Sequence, residues 1–128
     1  VTAAGGAQVH GSQFLIALAP EEKFRRLVRA HLGTILEDGS DFIPVLLYEW
    51  RSLTPANRRR VIALKDRFDA LWQRMLDELA AAGQVRGDAR LARLLVLGAV
   101  NWSGQWYRKG GRLSLDEIST QAARLFLR

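Results

Sequence analysis

From Pro20 onward, apolar residues recur at helical spacing, and no stretch alternates with the period of two that a half-buried strand requires. The pattern predicts an all-α chain, a helical bundle of about five helices. Pro20 suits the first position of a helix, and Glu21 and Glu22 favour the positive end of its dipole. The stripe of that helix is Phe24, Leu27, Val28, His31, Leu32, Ile35 and Leu36, with Gly39 as its end. A short second helix can start on Asp41 as cap, with Pro44 in its first turn and Phe42, Val45, Leu46 and Trp50 on its buried side.

Thr54-Pro55, a hydroxyl cap followed by proline, predicts the start of the longest helix, which runs to about Ala82 before Gly83. Val61, Leu64, Phe68, Leu71, Trp72, Met75, Leu76 and Leu79 form its stripe, with Lys65, Asp69 and Gln73 among the outward positions. Asp88 caps a helix with Leu91, Leu94, Leu95, Gly98, Trp102 and Trp106 on one side. Because Leu94 to Val100 is apolar all round, more than one face of this helix needs cover, and a partner subunit is the simplest source. A Gly110-Gly111 pair then stops the chain, and Ser114 with Glu117 forms a Ser-x-x-Glu capping box for a last helix burying Leu115, Ile118, Ala122, Leu125 and Phe126. Ahead of Pro20, residues 1–19 read as a flexible opening whose Phe14 to Ala19 run can be the end of an entering helix. Residues 20–128 read as one domain, the size expected for a chain of 128 residues.

Composition excludes more than it assigns. The chain has no cysteine, which removes disulfide scaffolds, thiol catalysis and Cys-ligated zinc, and fits a cytoplasmic setting. The longest apolar run is far too short to cross a bilayer, and no membrane partner is expected. Net charge is +6, but the basic residues are spread along the chain, which favours solvated helix faces over a nucleic-acid surface. Arg58-Arg59-Arg60, near a helix N-terminus, opposes the dipole; it can receive phosphates or be a solvated run. The lack of an initiator Met predicts that something upstream has been removed or left out.

Catalytic chemistry is thin. The histidines are His10 in the opening and His31 on an apolar stripe, without a second His or a matched carboxylate one turn away. No zinc motif, nucleophile elbow, phosphate loop or dinucleotide fingerprint occurs, so no enzyme, metal or cofactor is expected.

The helix order, the Thr-Pro start of the long third helix, and the junction Asn101 to Glu117 resemble the C-terminal domain of TetR-family transcriptional regulators. The Leu46-Leu47-Tyr48-Glu49-Trp50-Arg51 segment adds support, and the resemblance covers about Pro20 to Leu127. The flavour is that of the branch sensing acyl-CoA thioesters and related lipidic molecules. The resemblance implies an effector-binding, homodimer-forming domain whose last two helices build a four-helix interface with their symmetry mates. It also implies an N-terminal helix-turn-helix domain, and nothing of that kind precedes Pro20, so DNA would be contacted only through a domain missing from this chain.

The resemblance places the effector inside the bundle, which makes Trp102, Trp72, Phe68, Met75, Gly98, Asn101, Tyr48 and His31 candidate ligand-binding residues. For Phe68, Trp72 and Met75, plain core packing is the competing reading; for His31, a satisfied core histidine. Asn101, polar beside an apolar run, must find a partner if buried. The candidate dimer residues are Leu95, Ala99, Trp106, Ile118, Ala122, Leu125 and Phe126. The alternative is a helical protein-interaction or adaptor domain without a small-molecule pocket.

Overall fold

Caps and prolines set the helix starts where the sequence pattern places them. In the computed structural model, which describes residues 18–37 and 49–128, those residues form helices α1 (Pro20–Leu36), α2 (Pro55–Ala81), α3 (Ala89–Trp102) and α4 (Leu115–Phe126). Short 3-10 turns occur at Trp50–Ser52 and Ser103–Gln105, and no strand occurs among the described residues. The predicted short helix from Asp41 to Trp50 lies outside the described residues except for Glu49 and Trp50; Trp50 opens a 3-10 turn instead. Most of the predicted opening and Gly39 also lie outside them.

Thr54 Oγ1 accepts from Asn57 N at 3.2 Å, Asp88 Oδ1 accepts from Arg90 N and Leu91 N at 2.8 and 3.1 Å, and both bonds of the Ser114–Glu117 capping box are present. Each satisfies a backbone N–H that the first helical turn leaves without a partner. In the first turn of α1, hydrogen bonds from Arg25 and Arg26 hold the Glu22 carboxyl down at about 2. Gly83, with φ +77°, ends α2 in the left-handed conformation that glycine adopts without strain. At the α3–α4 junction, Gly111 donates to Arg108 O at 2.9 Å, and a Cβ there would meet that same oxygen at 2.9 Å, so the tight turn needs glycine.

Phe24, Val28 and Leu32 of α1, Trp72, Leu76 and Leu79 of α2, and Val96 and Val100 of α3 form the core. Phe24 meets Trp72 edge to face at 6.2 Å. Two expectations change here. On α4 the inward line is Leu115, Ser119, Ala122 and Ala123, with Ile118 partly buried, while Leu125 and Phe126 are exposed. Small residues let α4 lie close along α1, and that approach rotates Leu125 outward. On α3 the buried line is Val96 and Val100, so the predicted stripe of Leu91, Leu94, Leu95 and Trp102 faces out of the chain.

The first half of α2 also stands clear of this core: Ile62 and Leu64 are exposed among the described residues. Arg58 lies over the Trp50 ring at 5.9 Å and donates to Arg51 O at 3.1 Å, which ties one of the three consecutive arginines to the preceding turn. No helix of the described residues is long and apolar enough to cross a membrane.

Candidate functional site

Helix α3 sorts its residues by angle. Successive positions turn about 100°, so Leu94, Leu97, Gly98 and Asn101 share one flank while Ala99, Trp102 and Ser103 share the other. The first flank borders a cavity of about 280 Å³ between α1, α2 and α3, lined also by His31, Lys65, Phe68, Asp69, Trp72 and Arg93. The second borders an apolar groove of about 410 Å³ between α3 and α4.

Five of the eight candidate ligand-binding residues, His31, Phe68, Trp72, Gly98 and Asn101, thus line a single cavity. Met75 is buried in the core and is not part of its lining. Trp102, 64 % exposed, stands in the groove on the other flank, and Tyr48 lies outside the described residues. Of the candidate dimer residues, Ala99, Trp106, Ile118, Ala122, Leu125 and Phe126 all line that groove, while Leu95 lies on the adjoining exposed strip of α3. Ala122 is buried within its own chain, at the floor of the groove.

In the cavity, aromatic rings are stacked around one imidazole. His31 meets Trp72 at 5.9 Å and Phe68 at 6.0 Å, both edge to face. Its Nε2 donates to Asn101 Oδ1 at 2.6 Å, and burial pushes its pKa below the ordinary histidine value, against smaller opposing effects of that bond and of the Asp69 carboxylate. The ring is therefore neutral near pH 7, with its proton on Nε2 because a carboxamide oxygen can only accept. His31 Nδ1 and Trp72 Nε1 are buried without a hydrogen-bond partner among the described residues.

The cavity rim is polar, which the outward assignment of Lys65, Asp69 and Gln73 does not anticipate. Asp69 accepts Lys65 Nζ at 2.6 Å and Arg93 Nη1 at 3.3 Å, while Arg93 Nε donates to Gln73 Oε1 at 2.9 Å. Only the i,i+4 spacing of Lys65 and Asp69 is visible in sequence; the contribution of Arg93 depends on how α3 crosses α2. Among the described residues no cluster of three or more His, Cys, Asp or Glu is placed to hold a metal ion.

Residues 17–128 match the family model of the tetracyclin repressor-like C-terminal domain. The chain belongs to the TetR family. The TetR-family transcriptional regulator PfmR from Thermus thermophilus is 31 % identical, with a TM-score of 0.75 over 96 % of this chain and 68 % of that one. The superantigen PfiT is 35 % identical, with a TM-score of 0.78 over 88 % of this chain and 60 % of that one. AibR, solved with isovaleryl coenzyme A and operator DNA, is 22 % identical and shares the fold, with a TM-score of 0.72 over 89 % of this chain and 63 % of that one. This TetR-family domain thus spans 60 to 68 % of the length of these three relatives. No protein of curated function matches it in sequence.

Proposed function

We propose that this chain is the effector-binding and dimerisation part of a TetR-like transcriptional regulator. It takes a small apolar or acyl-CoA-like effector into the cavity between α1, α2 and α3. The observation that carries this reading is the convergence of His31, Phe68, Trp72, Gly98 and Asn101 on one space, with a polar His31–Asn101 pair set among apolar walls. The similarity to AibR, which was crystallised with a coenzyme A thioester, supports a ligand of that kind. An effector that prefers one arrangement of α1, α2 and α3 would shift the bundle and, in an intact regulator, the spacing of its DNA-reading domains.

A second copy of the chain is the occupant proposed for the α3–α4 groove. Trp102, Trp106, Leu125 and Phe126 in the groove and Leu95 on the strip beside it are all large, apolar and exposed, a concentration that monomeric proteins avoid. A twofold axis through the groove would set the same patch against itself, as an isologous interface requires.

A thermal-shift series with short acyl-CoA thioesters, free coenzyme A and small apolar compounds tests the effector assignment. A ligand binding only the folded state at a hundred times its dissociation constant adds about 2.7 kcal/mol, enough to raise the melting temperature by several degrees. Silence across the whole series would remove the cavity as an effector site.

A further inference from the structure

We infer that Asn101 donates a hydrogen bond from its side-chain amide to the effector, which makes the cavity selective for molecules that present a carbonyl-type oxygen on a compact apolar body. The inference rests on the reading of this cavity as the effector site.

The carboxamide of Asn101 has an acceptor end and a donor end, and the structure commits them differently. Oδ1 accepts from His31 Nε2 at 2.6 Å, so the donor end, Nδ2, is turned away from the imidazole. Nδ2 has no partner among the described residues, although Asn101 is half-buried and lines the cavity. His31, 4 % exposed and wedged between Phe68 and Trp72, cannot swing away to release the amide. It acts as a positioning residue that fixes which end of Asn101 meets the ligand.

A pair of N–H bonds at the edge of an apolar space calls for an acceptor. The surrounding walls, Phe68, Trp72, Leu97 and Gly98, offer none from their side chains, and the Asp69 carboxylate at the rim is already bonded by Lys65 and Arg93. A ligand oxygen is the group that completes the set, since these N–H bonds face walls that offer no acceptor and a ligand carbonyl supplies one. The group beside Asn101 is the His31 imidazole, and the two cations of the lining, Lys65 and Arg93, are held at the rim by Asp69. A volume of about 280 Å³ limits the body to a compact one.

Acetophenone and ethylbenzene form a matched pair of probes, nearly equal in shape and differing in one carbonyl oxygen. Calorimetric or fluorescence titration of the full chain is expected to give about three- to tenfold tighter binding of acetophenone, the range of one neutral hydrogen bond. Asn101→Asp, which keeps the acceptor for His31 and replaces the donor by an oxygen, should erase or reverse that preference. His31→Phe should reduce the preference, and His31→Gln, which can still donate to Oδ1, should restore it.

The chain contains two asparagines, Asn57 and Asn101, so the side-chain amide signals of Asn101 can be assigned in a nitrogen-15 spectrum. These signals should shift with acetophenone and not with ethylbenzene, on wild-type protein and without any mutation. Equal binding of both probes, with unmoved Asn101 signals, would overturn the role of Asn101 and leave the cavity assignment standing. No binding of either probe would overturn both.

Discussion

His31 carries a titration that links the cavity to stability. In the unfolded chain its pKa is near 6.5, and burial in the folded state lowers it, so the unfolded state binds more protons in the window between the two values. The contribution of the neutral ring is fully present above about pH 6.5 and is lost as pH falls from there through the depressed folded value. The Asp69 carboxylate and the bond to Asn101 Oδ1 oppose the shift without cancelling it. Denaturant midpoints should therefore fall as pH drops from 7 towards 5.5, and His31→Gln should flatten that slope. An unchanged slope in the variant would assign the titration elsewhere. His31 also marks a limit of sequence reading: its place on the α1 stripe is plain from spacing, but a hydrogen bond to a residue 70 positions away is not.

At the scale of elements, α3 divides the molecule's two candidate surfaces. Gly98 sits on the ridge between cavity and groove, exposed, and a Cβ built there meets nothing within 4 Å. In a single chain, glycine at such a position in a helix is a liability of about 0.5–1 kcal/mol relative to alanine. Gly98→Ala should therefore raise the stability of the monomer by that amount in denaturant titrations. If α3 passes close to its symmetry mate at Gly98, the same substitution should weaken the dimer in sedimentation. A variant more stable in both states would place the helix crossing elsewhere. Gly98, Asn101 and Trp102 look equivalent as candidates in the sequence, being within about one turn. A rotation of about 100° separates Trp102 from Asn101, with Gly98 between them, but which flank faces α1 and α2 is fixed only by packing.

For the whole molecule, association is the property with the clearest measurement. Leu125 is 80 % exposed and contributes nothing to the core of its own chain, so Leu125→Glu should leave the folded monomer intact, within about 0.5 kcal/mol. Facing a second copy, it would bury two unpaired carboxylates across the twofold axis, which is costly. Analytical ultracentrifugation at micromolar concentration should give a dimer for the wild type and a monomer for the variant. A wild-type monomer at that concentration would remove the second copy from the α3–α4 groove and favour a different protein partner.

The sequence alone determined the all-α class, the starts of α1, α2, α3 and α4, and the family, because each depends on local chemistry. A proline at the first helical position, a hydroxyl or carboxylate cap and a glycine stop act within a few residues of themselves. The α1 stripe was legible for the same reason. The tertiary structure decided which face of an all-round apolar helix points inward. It turned Val96 and Val100 of α3 to the core and Leu95 and Trp102 out of it, and it lined α4 with Ser119, Ala122 and Ala123 in place of Leu125 and Phe126. It also brought Arg93 to Asp69 and Asn101 to His31. Where every face of a helix is apolar, hydrophobic burial expresses no preference among them, and the choice passes to the fit of neighbouring helices, which spacing along one chain does not encode.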